Sequence, residues 1–291
     1  MNLLEDVRFI DANGIRYATR FFTVEGVAVA EPRRTVLLLH GFLDSGATWD
    51  LVAPHLAAAG FEVVAPDLRG FGASGRIPAG GYYYFADYIA DVAALVDALA
   101  PAELSIVGHS MGGGVATLFA GVFPERVKKL AVLEGLGPMN DPPDLAVDRA
   151  RRWLADVARI DRTPRPLASL EDAVNRLAAT HPRVDRAILE TRAQKLTTRD
   201  AEGRLVWAYD PLHRTTSPTP FSAAAYASFL RAITAPTLFV GGGPNGWHPP
   251  DESERLAHIR EVRRVDFPEA GHMMHWTRPD ELAAALLEHL G

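Results

Sequence analysis

The stretch Leu104-Ser105-Ile106-Val107-Gly108-His109-Ser110-Met111-Gly112-Gly113-Gly114 decides how the rest of the chain reads. It begins as a short apolar run, the pattern of a buried strand. It turns at Gly108 and enters an Ala- and Gly-rich segment, residues 115–122, with the character of a helix. Ser110 stands at the turn, inside a G-x-S-x-G pattern. A serine on a sharp strand-to-helix turn needs small residues two positions to either side, and Gly108 and Gly112 supply them. Such a turn exposes the hydroxyl at the top of a sheet and aims the helix N-terminus at whatever reacts there. The pattern alone arises often by chance; between a strand and a helix it is specific.

Working outward, the same alternation of strand and helix continues. Residues 7–23 alternate in character around Asn13-Gly14, a hairpin signal because both residues tolerate positive φ. They predict two antiparallel strands at a sheet edge. Residues 35–39 form a continuous apolar run, as expected for a strand covered on both faces, and end at His40-Gly41-Phe42-Leu43. A helix over 49–59 is closed by Gly60, and a strand over 61–65 follows. Asp67-Leu68-Arg69-Gly70-Phe71-Gly72-Ala73-Ser74 is a tight Gly-rich loop. Residues 85–99 carry helical periodicity ahead of Pro101. Beyond the central stretch, residues 127–133 predict a strand ending at Glu134.

The alternation then breaks. Residues 139–232 are rich in Arg, Pro, Ala and Asp, with helical patches at 147–160, 170–179, 185–194 and 222–231 and no convincing core strand. They predict a helical insertion. The pattern resumes with strands at 236–240 and 262–267 and helices at 252–258 and 279–290. Strands alternating with helices call for a mostly parallel sheet, whose ligands bind beyond the carboxyl ends of the strands. His40, Ser110, Glu134 and Gly241 all lie at such ends, so they are expected to converge.

Composition narrows the class. The chain has 291 residues, 48% hydrophobic and 23% charged, which suits one large α/β domain carrying an insertion. A net charge of -6 argues against a nucleic-acid surface. The absence of cysteine excludes a disulfide framework, a Cys nucleophile and thiolate metal sites. The start, Met1-Asn2-Leu3-Leu4-Glu5-Asp6, lacks the basic and apolar regions of a signal peptide. No segment approaches the roughly 20 apolar residues that span a bilayer. A cytoplasmic protein without a membrane partner is expected.

His40-Gly41-Phe42, the Asp67–Ser74 loop, Gly108-His109-Ser110-Met111-Gly112-Gly113 and Gly271-His272 together resemble the α/β-hydrolase family. With the strand alternation, the resemblance covers nearly the whole chain apart from the insertion. It implies a mostly parallel central sheet of about eight strands flanked by helices. Residues 1–138 and 233–291 would form this core, and 139–232 a helical cap.

The resemblance also implies a site. Ser110 would be the nucleophile, and a free hydroxyl needs a base within reach. His272, on the loop before the closing helix, would take its proton and return it to the leaving group. His275, three residues on, is the rival base, or else lines the pocket or caps the closing helix. The family's usual acid position falls here at Asn245, whose amide carries no charge to stabilise an imidazolium. Some relatives place the acid one strand earlier, where this chain has Glu134. A carboxylate buried at a strand end is costly unless paired, and His272 would pair it. Glu134 is therefore the expected acid; Asp251, or a dyad assisted by Asn245, is the alternative. The backbone N–H groups of Phe42 and Met111 would form the oxyanion hole, with His40 orienting that loop beside the substrate. Asp67 and Arg69 are expected to brace loops. In the cap, Trp207 and Tyr209 would line an acyl or aromatic pocket, with His213 or Arg214 at its edge, or else anchor the cap to the core.

The reaction so implied is hydrolysis of a small carboxylic ester, or a thioester, through an acyl-enzyme, with no cofactor, no metal and no nucleic-acid partner. A carbon–carbon bond hydrolase using the same triad and a non-catalytic binding protein of this fold are the alternatives. Oligomeric state is not encoded in any motif.

Overall fold

In a computed structural model the chain is described over residues 3–291. The first two strands, β1 (Leu3–Ala12) and β2 (Ile15–Val24), form the hairpin about Asn13-Gly14, and Asn13 takes φ 45°. Six more strands complete one sheet: β3 (Arg34–Leu39), β4 (Glu62–Pro66), β5 (Glu103–His109), β6 (Lys129–Leu133), and, beyond the insertion with its short β7 and β8, β9 (Thr237–Gly241) and β10 (Val262–Asp266). The order is β1-β2-β4-β3-β5-β6-β9-β10, antiparallel at the hairpin edge and parallel from β4 to β10.

The apolar runs explain the layers. In β3, Leu37 and Leu39 join one buried cluster and Val36 and Leu38 the other. The first cluster lies under α2 (Phe85–Leu99), α3 (Met111–Val122) and α7 (Ala223–Ala232). The second lies under α1 (Ala53–Ala58) and α10 (Pro279–Leu290). A strand covered on both faces cannot afford polar residues on either, hence runs rather than alternation. Before α1, residues Gly46–Leu51 form a 3-10 turn, so the helix expected over 49–59 is shorter than its periodicity implied.

The insertion holds α4 (Ala146–Arg159), α5 (Leu170–Thr180) and α6 (Arg186–Leu196). It also contains a small antiparallel pair, β7 (Thr197–Arg199) with β8 (Leu205–Trp207), that the sequence did not announce. Helix α7, which the expected boundary at 232 places in the cap, packs on α3 instead. Tyr226 and Leu230 enter the core cluster, and a Cβ at Gly121 would stand 2.6 Å from the Phe229 carbonyl oxygen. Helices α5 and α6 pack against Met273 and Trp276, the latter on the short α9 (Met274–Thr277). Buried Arg192 of α6 donates to the Thr48 carbonyl at 3.0 Å and pairs with Asp50 at 2.7 Å. Among the described residues, no helix is long and apolar enough to cross a membrane.

Parallel pairing sets the site. Leu39 lies beside Gly108, His109 beside Leu133, and Leu133 beside Val240, so the loops that follow these strands leave from one rim. The β5–α3 turn is packed so closely that side chains are excluded. A Cβ at Gly112 would sit 2.6 Å from the His40 carbonyl oxygen and nearer still to that of Leu39. Gly112→Ala is expected to cost about 3 kcal/mol of stability, read from the denaturant midpoint. An unchanged midpoint would contradict this packing.

Candidate active site

Ser110 occupies φ 52°, ψ −116°, a region L-residues rarely enter, and it is the residue from which α3 starts. Its N–H donates to the Leu133 carbonyl at 2.9 Å, so the strained turn is held by the neighbouring strand. The backbone at Glu134, the first residue past β6, is also left-handed, at φ 48°. Its side chain has no exposed surface. The carboxylate accepts from the Gly242 N–H at 2.5 Å, the Trp247 N–H at 2.6 Å and the His272 Nδ1 at 2.7 Å. Charge-assisted donors of this kind offset the desolvation of a buried carboxylate. Gly242 and Gly246 are required around it, because a Cβ at either would press on or overlap the Glu134 Oε1.

The His272 loop is placed by Gly271 at φ 65°, whose N–H donates to the Gly242 carbonyl at 3.0 Å. With Nδ1 donating to Glu134, the tautomer is fixed and Nε2 keeps a free lone pair. Ser110 and His272 both border a cavity of about 930 Å³ between core and insertion, as do Phe42, Met111, Trp207 and Tyr209. Asn245 is exposed, and Asp251 pairs with Arg255 at 2.8 Å. Of the three candidate partners, Glu134 is the one brought to His272.

Two expected substrate-side residues lie elsewhere. His40 is fully buried and outside the cavity wall; its Nδ1 donates to the Gly41 carbonyl at 2.8 Å and its Nε2 accepts from the Leu68 N–H at 2.9 Å. Both ring nitrogens are thereby used in holding the loop beneath Phe42. His275 is likewise fully buried, 3.2 Å from the Asp44 carboxylate, because α9 turns it under the rim rather than toward the cavity. Asp67 braces its loop by pairing with Arg20 at 2.6 Å and accepting from the Gly46 N–H at 2.8 Å, while Arg69 pairs with buried Asp91.

The insertion is docked by polar and aromatic contacts. The Gly72 N–H donates to the Ala208 carbonyl at 2.6 Å, and the Tyr83 hydroxyl to Asp210 at 2.9 Å. The His213 ring stacks on Phe71 and Tyr83, with centroids 4.0 and 3.8 Å away. Trp207 and Tyr209 stack on each other at the cavity wall, 6.5 Å between centroids. Half-buried Arg149 of α4 pairs with Asp141 at 3.1 Å, while Arg151 pairs with Asp148 on the solvated face.

Sequence reading missed His109 and Asp44. His109 ends β5 and directs Nε2 at the His272 carbonyl, 2.8 Å away. Burial pushes the imidazoles of His40, His109 and His275 below their ordinary range, and His213 down to about 3. Unfolded, each would take up a proton near pH 6.5 that the folded chain refuses. The stability they contribute is therefore complete above about pH 6.5 and is lost as pH falls, at about 1.4 kcal/mol per pH unit for each ring. Burial raises the Asp44 carboxyl, and at His248 burial is outweighed by hydrogen bonds, that to Glu252 foremost, which raise the imidazole, so these two groups oppose the trend; His181 and His289, lowered by burial, add to it. Thermal midpoints are expected to be flat above pH 7 and to fall from pH 6.5 downward. A decline that begins only below pH 5 would contradict the buried neutral histidines.

Residues 34–279 match the family model of the alpha/beta hydrolase fold. Human serine hydrolase-like protein 2 is 32% identical over 279 residues, covering 88% of this chain and 86% of that protein. A serine hydrolase-like protein of Dictyostelium discoideum is 27% identical, over 89% of this chain and 76% of its own length. Among solved structures, the thioesterase domain from the curacin biosynthetic pathway superposes with a TM-score of 0.85 at 26% identity, covering 98% of this chain and 99% of its own. A thermophilic esterase from Thermogutta terrifontis shares the fold, with a TM-score of 0.70 at 24% identity over 97% of each chain. The chain belongs to the alpha/beta hydrolase fold family.

Proposed function

We propose that this chain is a serine hydrolase that cleaves a carboxylic ester or thioester of a small molecule through an acyl-enzyme. The observation that carries the reading is the contact of buried Glu134 with half-buried His272, 2.7 Å apart, on the wall of the cavity that also exposes Ser110. His272 Nε2 takes the Ser110 proton as Oγ attacks the substrate carbonyl. The Phe42 and Met111 N–H groups receive the charge that forms on oxygen, each donor lowering the barrier by about 3 kcal/mol. His272 then passes its proton to the departing alkoxide or thiolate, leaving the acyl group on Ser110. Water, deprotonated by the same ring, releases the acid. Glu134 stabilises the imidazolium in both halves; Asn245 takes no part.

The acyl group is assigned to the mostly apolar cavity, where Trp207 and Tyr209 of the cap shape one wall. The close superposition on a thioesterase domain supports including thioesters in the substrate class.

A fluorophosphonate probe is expected to label Ser110 in the folded chain, and Ser110→Ala to abolish labelling. Folded protein that resists the probe would overturn the hydrolase reading. Turnover of a p-nitrophenyl ester is expected to fall about 10³-fold or more in Glu134→Gln and to change little in Asn245→Ala. The reverse order would move the acid to the β9 loop.

A further inference from the structure

Directly beneath the nucleophile turn lies a group of side chains that the proposed chemistry does not use. Asp44 comes from the loop after β3, His109 from the end of β5, and His275 from α9. One ring nitrogen of each histidine and a carboxylate oxygen of Asp44 lie within 4.8 Å of one another, and all three residues are buried. The bonding around them leaves donor capacity unspent. His109 Nε2 faces the His272 carbonyl, which only accepts, so Nε2 carries the proton and Nδ1 keeps its lone pair. That Nδ1 is buried without a hydrogen-bond partner among the described residues, and so is His275 Nδ1. Such orphaned acceptors are uncommon in folded proteins and call for an explanation.

We propose that Asp44, His109 and His275 bind a divalent transition-metal ion of the zinc, cobalt or nickel class, and that its binding slows turnover at Ser110. Two imidazoles and one carboxylate suit these ions better than magnesium or calcium, which prefer all-oxygen shells. Ligand bonds of about 2.0–2.2 Å in a tetrahedral site place donor atoms a little over 3 Å apart. The His275–Asp44 edge is already 3.2 Å, so the set needs only to close around the ion. For the ion to take His275 Nε2, that ring's proton moves to Nδ1, whose lone pair is unspent. The His109–His272 hydrogen bond acts as the outer contact that orients a ligating imidazole. Asp44 and His109 also border the substrate cavity, which leaves the fourth position open to water from that side. The nearby cation Arg192 is held by both Asp50 oxygens, at 2.7 and 3.1 Å, which tempers its repulsion.

Inhibition follows from connectivity. His109 precedes Ser110 in the chain and holds the His272 backbone, so drawing its ring toward an ion displaces both reacting residues. Metal binding itself does not depend on the hydrolase reading; the inhibition does, and the two are measured separately. Cobalt(II) chloride titrated into the full chain in a non-coordinating buffer is expected to give visible ligand-field bands that saturate at one ion per chain. Zinc titrated by calorimetry is expected to bind with the same stoichiometry, at least tenfold more weakly in His275→Gln and in Asp44→Asn. Ester turnover is expected to fall with the same midpoint as zinc binding and to return on adding EDTA. Zinc-soaked crystals of the unaltered chain test the site without any variant, by an anomalous peak bounded by the three side chains. Absence of saturable binding, undiminished binding in folded variants, or a peak on His272 Nε2 instead would overturn the site. Binding with turnover unchanged would overturn the inhibition.

Discussion

A carboxylate with no exposed surface has to be surrounded by donors, and at Glu134 that requirement ties three strands together. Its own backbone is left-handed at the end of β6. Its oxygens take N–H groups from the loop after β9 and the ring of His272 from the loop after β10. Truncating the side chain would leave those donors unpaired in a buried place, a loss of about 1–3 kcal/mol for each. Replacing Gly246 would drive a methyl group into the carboxylate. The arrangement therefore serves position and charge at once: the imidazole is oriented, its tautomer is set, and the negative charge that stabilises its protonated form is already desolvated.

Ser110 is held by a different economy. Its strained φ is sustained by the Leu133 carbonyl and by glycines at 108 and 112, where backbone crosses backbone with no room for a Cβ. The two devices share a strand pair, since His109 lies opposite Leu133. Ser110 and Glu134 thus reach the same rim from adjacent strands, and His272 arrives from the far end of the chain. The insertion closes the cavity through stacked rings, with His213 between Phe71 and Tyr83, and through side-chain bonds such as Arg192 to Asp50 and Tyr83 to Asp210.

Much of this could be read before any coordinates. The runs at 35–39, 104–107 and 130–133 announced strands covered on both faces, because burial on two sides removes alternation. The G-x-S-x-G spacing announced the turn, because only glycine tolerates the crossing. Glu134 stood out because an acid directly after four apolar residues has no structural excuse. Other features left no such trace. Strands β7 and β8 are three residues each, too short for a period to register. Helix α7 carries the same Ala-rich pattern whether it packs on a cap or on α3, so its partner was settled by the close approach at Gly121. His275 and His40 looked like cavity residues from their positions in motifs. Their burial depends on how α9 and the β3 loop turn, which spacing alone does not fix. Asp44 and His109 belong to a cluster drawn from three distant segments and became visible only in the folded chain.

The claim at the centre of this account is that the ring at 272 is held by the carboxylate at 134. Proton NMR of the folded chain tests it most directly, because an imidazole N–H donating to a buried carboxylate resonates far downfield of ordinary amide protons. The account predicts one such resonance, assigned by nitrogen-15 labelling to His272 Nδ1–H, retained in Asn245→Ala and lost in Glu134→Ala. A downfield ring proton that survives removal of the Glu134 carboxylate in a folded protein would contradict it.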